Sequence, residues 1–142
     1  MIDLTTVGLI FIMGSYCLAA LIDFREYRLP DWLTWPAAII SVPTSLEMGR
    51  TYPDMLFGIV LAAGTLFFLY QKGCVGFGDV KLGFSIGALA GFIGTALVLP
   101  LAFLVLICWS RLGGSEEHLI PFGPILIGCV FLALLFVSLG IL

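Results

Sequence analysis

The chain has 142 residues, of which 61% are hydrophobic and 11% charged, and its net charge is −3. A soluble domain carries roughly 45–50% apolar and about 25% charged residues, so this composition excludes one and implies an all-α polytopic membrane protein. The six basic residues are scattered, which excludes nucleic acid as a partner and leaves the lipid bilayer as the surrounding medium.

At about 20 residues per span, the length allows roughly five or six helices in a single transmembrane domain over residues 1–142, with no soluble domain attached. Leu4 to Ile22 carries no charge and reads as span one, closing at Asp23. No basic stretch precedes it, so it is expected as a retained span rather than a cleaved signal peptide. Pro30 and Asp31 read as a helix start, with Asp31 as its cap, and span two follows from Trp32 to about Met48 despite Pro36, Pro43 and Glu47. Span three is Met55 to Tyr70. The uncharged run from Leu82 to Ser110 would rise about 43 Å as one helix against a core of about 30 Å. Gly91 and Gly94 offer a break, giving a short helix from Asp79 to about Gly91 and another from about Phe92 to Arg111. Leu119 to Leu142 closes as span six. This topology places Arg25, Arg28, Lys72, Lys81 and Arg111 on one side and only Arg50 on the other, which makes the first side cytoplasmic and puts both chain ends outside.

Cys17, Cys74, Cys108 and Cys129 show no CxxC or paired ligand spacing, so they read as small membrane-core residues and no metal is expected. Ionisable residues at membrane depth are functional candidates by default. Asp23 ends span one and Asp79 begins span four, so both fall at the cytoplasmic edge. Asp79, Gly83, Gly87 and Gly91 recur every four residues, as do Ser15, Ala19 and Asp23. Packing of these two small-residue faces on each other would oppose the two carboxylates. Such a pair shares protons: one carboxylate activates a water while its protonated partner polarises a carbonyl. Taken singly, Asp79 also reads as a helix cap and Asp23 as an interfacial charge. Lys81 is expected to meet lipid phosphate, or else to hold the Asp79 carboxylate. Glu116, Glu117 and His118 read as a solvated turn, and Glu47 with Arg50 as a local pair.

Three stretches carry a family resemblance. "GFGD" at 76–79, running into "VKLG", resembles the GxGD motif of the type IV prepilin leader peptidases, which are polytopic aspartic proteases. "LIDFREYRLPDWLT" at 21–34 resembles the segment with that family's first aspartate, and "IPFGP" at 120–124 its third signature. The resemblance implies Asp23 and Asp79 as catalytic residues, with Gly76, Gly78, Lys81, Gly83, Gly87, Pro30, Pro121 and Gly123 in support. It further implies a multi-pass protein of the inner membrane that needs no cofactor and cleaves prepilins or pilin-like secretion subunits after a glycine on the cytoplasmic side. The CxxC-bearing amino-terminal region of longer members, associated with N-methylation, has no match here, so a short form is expected. A presenilin-type GxGD protease and a non-enzymatic membrane subunit of a pilus or transport system stand as alternatives.

Overall fold

The computed structural model describes residues 3–26, 29–112 and 122–138. They form five helices: α1 (Leu4–Glu26), α2 (Asp31–Glu47), α3 (Tyr52–Gln71), α4 (Phe77–Leu112) and α5 (Phe122–Ser138). Against the six or so spans expected, three helical stretches among the described residues are long and apolar enough to cross a membrane, namely Leu4–Glu26, Tyr52–Gln71 and Phe77–Trp109. The 17-residue α2 falls short of that length, and its two prolines, Pro36 and Pro43, are both accommodated inside it. Large apolar side chains such as Ile10, Phe24, Phe68 and Leu104 are exposed on the outer surface, as a bilayer solvent allows. The core between the helices is built from Ile12, Tyr16, Leu66, Leu82, Ile86, Val98 and Leu126.

Two helix termini differ from expectation. α1 does not stop at Asp23 but continues to Glu26, so Asp23 lies inside the helix and is held rigidly by it. Pro30, extended at φ −73° and ψ 129°, takes the cap position of α2 without a side-chain hydrogen bond. Asp31 is therefore the first helical residue and no cap; its carboxylate is drawn elsewhere, to Lys81.

The small-residue face of α4 also packs differently. Gly83 lies against Ala62 and Leu66 of α3, and a Cβ on Gly87 would strike the Gly58 carbonyl oxygen, with Ile59 Cα at 2.7 Å. The stripe thus meets α3 and not α1, because α3 presents its own small residues, Gly58 and Ala62, at the matching four-residue spacing. Ser15, Ala19 and Asp23 of α1 are buried too, but the principal neighbours of α1 are α2 and α5. What links α1 to α4 is polar. The Tyr16 hydroxyl donates to Ser85 Oγ at 2.6 Å, and Ser85 Oγ donates to the Ala37 carbonyl of α2 at 3.3 Å. Ser45 adds a second tie, its hydroxyl donating to the Ala88 carbonyl at 2.6 Å.

The break in α4 falls at Gly91, whose φ of 67° and ψ of −170° leave the helical region, a conformation open to glycine and strained for other residues. Phe92 then behaves as a new helix start. Its N–H donates to Asp54 Oδ1 at 3.0 Å, while Arg50 holds Asp54 Oδ2 at 3.2 Å. Arg50 thus pairs with Asp54 and not with Glu47, which instead accepts from Thr5 Oγ1; the free N–H at Phe92 draws the Asp54 carboxylate to this spot. Beyond the break the chain returns toward the end where α4 began, since the Phe103 ring lies 5.6 Å from that of Phe122, next to Gly123 and Asp23. Of the cysteines, Cys129 alone is buried; Cys17 and Cys108, on outward helix faces, and Cys74, in the turn between α3 and α4, are exposed.

The backbone contact between α3 and α4 yields a stability test. Gly87→Ala forces a methyl onto main-chain atoms that cannot give way, and is expected to destabilise by about 1–3 kcal/mol. Gly64→Ala on α3, where an added Cβ meets nothing within 4 Å, should be neutral or stabilising, by up to about 1 kcal/mol from helix propensity. Thermal unfolding of the two variants in detergent checks the opposite signs.

Candidate active site

Asp79 sits in the first turn of α4 and is fixed there by a reciprocal pair of bonds. The Asp79 N–H donates to the Gly76 carbonyl at 3.1 Å, and the Gly76 N–H donates to Asp79 Oδ2 at 3.1 Å. This is the logic of a capping box, in which a side chain three residues in satisfies the N–H at the helix mouth. One carboxylate oxygen therefore caps the helix. The other, Oδ1, is buried and has no hydrogen-bond partner among the described residues.

Asp23 reaches the same place from the last turns of α1. Only 6% of each aspartate is exposed, and Asp23 is close enough to act on Asp79 through charge. The Gly123 backbone, in the first turn of α5, closes on the Asp23 carboxylate; a Cβ there would stand 2.8 Å from Oδ2. A carboxylate near the end of its own helix faces the negative end of that helix dipole, and the backbone at Gly123, in the first turn of α5, offsets it. Each aspartate is thus met by a helix start, Asp79 by its own and Asp23 by that of α5.

Sequence reasoning missed the residue that joins the two. Leu29, ahead of Pro30, packs its Cβ where a methyl on Gly78 would fall, at 2.5 Å, and its Cδ1 lies 3.4 Å from a Cβ built on Gly123. The signal available was the aliphatic-Pro pair after the first aspartate, which marks a position without saying what it touches. The two motif glycines also differ. A Cβ on Gly76 would make ordinary contact with Asp79 Oδ2 at 3.6 Å, whereas Gly78 has no room.

Lys81 does not hold the Asp79 carboxylate. Its ammonium bonds to Asp31 Oδ1 at 2.6 Å and lies over the rings of Trp35 and Phe77, 5.3 and 5.0 Å from their centroids. Two aromatic faces and a carboxylate outcompete a more distant site for one cation, and leave the Lys81 side chain 10% exposed. Gly83 and Gly87, about one and two turns along α4 from Asp79, serve the α3 contact. Arg28, Glu116, Glu117, His118 and Pro121 lie outside the described residues. Among the described residues, no three His, Cys, Asp or Glu side chains converge as metal ligands.

Comparison with known proteins bears on this arrangement. Residues 10–113 match the type IV leader peptidase family, a stretch that contains both aspartates. The prepilin leader peptidase/N-methyltransferase of Escherichia coli strain K12 is 30% identical over 106 residues, covering 68% of this chain and 47% of that protein. The chain thus spans about half the length of this curated relative. No solved structure gives a significant match. With the family matched across most of its length, the chain belongs to the type IV leader peptidase family.

Proposed function

We propose that this chain is an aspartic endopeptidase that removes the leader from type IV prepilins or pilin-like secretion subunits, cleaving after a glycine at the cytoplasmic face of the inner membrane. The observation that carries this is the meeting of Asp23 and Asp79, buried together, with Asp79 Oδ1 unengaged. In the reaction, one carboxylate takes a proton from water as the water oxygen bonds to the scissile carbonyl carbon, and the protonated partner gives its proton to the carbonyl oxygen. The tetrahedral diol then collapses. The newly ionised partner takes back a hydroxyl proton, and the other acid protonates the leaving nitrogen as the C–N bond breaks, which restores the starting pair. The two groups titrate as a unit, so base and acid are roles of the pair.

Charge and the break support this orientation. At 36 residues α4 would rise about 54 Å if straight, far beyond a core of about 30 Å, and the break at Gly91 supports reading it as two passages and the chain as six. Arg25, Lys72, Lys81 and Arg111 then share the end that holds the aspartates, and Arg50 lies at the other, which supports a cytoplasmic aspartate end. Pro30 at the cap of α2 and Gly123 against Asp23 favour the prepilin reading over a presenilin-type protease, since both positions belong to the prepilin peptidase signatures.

The deciding experiment is co-expression with candidate prepilins, with leader removal read by mass. Asp23→Asn and Asp79→Asn should each lower cleavage by roughly 10²–10⁴-fold or more while the protein still inserts, since an amide can neither accept nor share the proton. Near-normal cleavage by either variant removes that aspartate from the chemistry. The motif glycines should separate as well. Gly78→Ala drives the Leu29 strap off the site and should cost on the order of a hundredfold in rate, whereas Gly76→Ala, whose Cβ has space, should stay within a few-fold of the parent. Equal rates for the two would show that Leu29 does not pack as described.

A further inference from the structure

Leu29 spans the gap between the two halves of the site. Its Cβ abuts Gly78, the residue before Asp79, and its isobutyl group reaches Gly123 at the same point where Asp23 Oδ2 lies. A scissile carbonyl held between the carboxylates has its Cα one bond away, so any substituent on that Cα points toward the walls of the pair. The apolar wall on this side is Leu29.

The wall is also stiff. Pro30 fixes the backbone that follows, and its carbonyl accepts the Leu33 and Thr34 N–H groups at 3.1 and 3.2 Å. One residue further, Asp31 is tied to Lys81 at 2.6 Å, and Lys81 is itself pinned by Trp35 and Phe77. The strap therefore hangs from α4 two residues beyond Asp79, and a substrate that pushes on Leu29 pushes against an ion pair and two rings.

We propose that Leu29 sets the size of the substrate residue that precedes the scissile bond, its isobutyl group filling the volume which a Cβ on that residue would need. This rests on the peptidase reading above and gives it a physical basis for cleavage after glycine. It adds no step to the hydrolysis.

The test is a ratio within each protein, which removes differences in expression and folding. Two prepilin precursors that differ only in glycine or alanine before the scissile bond are cleaved by the full chain in membranes, and kcat/KM is measured for each. Leu29→Ala should raise the alanine-to-glycine ratio by about tenfold or more, the scale set by one methyl group in a tight pocket, and Leu29→Val should raise it less. An unchanged ratio in both variants overturns the proposal, as does an equal fall on both precursors, which would make Leu29 merely structural. If Leu29→Ala does not accumulate, Leu29→Val decides alone. The parent protein separates the two levels of inference: failure to cleave the glycine precursor sinks the peptidase reading, whereas cleavage with unshifted ratios sinks only the role of Leu29.

Discussion

Tyr16 and Ser85 are both fully buried, and the hydroxyl of one donates to that of the other at 2.6 Å. The aspartates lie on helices that share little other direct contact, so their meeting depends on what sets α1 against α4. Tyr16 precedes Asp23 by seven residues and Ser85 follows Asp79 by six, which puts the hydrogen bond about 10 Å along each helix from the carboxylates. At that depth a slip of either helix along its axis would separate the hydroxyls. A buried hydroxyl left unpaired costs about 1–3 kcal/mol, so the bond opposes slippage at the place where it would misalign the pair. Ser85 also donates to the Ala37 carbonyl, and one side chain thereby indexes three helices.

The first half of α4 is fixed at both of its ends by carboxylates. At the start, Asp79 satisfies the Gly76 N–H; beyond the far end, Asp54 satisfies the Phe92 N–H after the chain has turned at Gly91. Between them the helix lies backbone to backbone on α3 through Gly87 and Gly58. Close packing of this kind suits a bilayer, where apolar side chains gain nothing by leaving lipid for protein and van der Waals contact with short polar ties must hold helices together. The result is a rigid α3–α4 platform. Asp79 is part of it, and α1, α2 and α5 bring Asp23, Leu29 and Gly123 to it.

How much of this was legible in the sequence depends on what a pattern encodes. Runs of apolar residues gave the helices to within a few residues, and the uncharged run too long for one span pointed to Gly91, because both are properties of a single segment. Partners are properties of two segments. The four-residue stripe at Gly83 and Gly87 announces that a backbone approaches closely, but nothing in it says whether α1 or α3 does so, and both offered small residues at that spacing. The same ambiguity misplaced the ion pairs: Arg50 lies near Glu47 and Asp54 alike in sequence, and only the bare N–H at Phe92 selects Asp54. Asp31 and Lys81 are far apart in the chain, and no local rule joins them. Leu29 went unremarked because one leucine among many carries no chemical signal.

On the proposed peptidase reading, the site has to keep two carboxylates nearly dry and yet not leave them without partners. Side-chain cations near the pair would neutralise it and end its ability to share a proton, and Lys81, only two residues from Asp79, is instead turned away toward Asp31 and held between two rings. Backbone N–H groups at helix starts satisfy a carboxylate oxygen with partial charge only, and each aspartate is met by one such start, from α4 and α5. That solution needs backbone to come within hydrogen-bonding distance of the carboxylate, which a side chain at Gly123 would prevent. On this reading the glycine at 123 is a consequence of the site's electrostatics: a shared proton calls for donors without full charge, those donors are main-chain atoms, and at Gly123 a Cβ would stand 2.8 Å from Asp23 Oδ2.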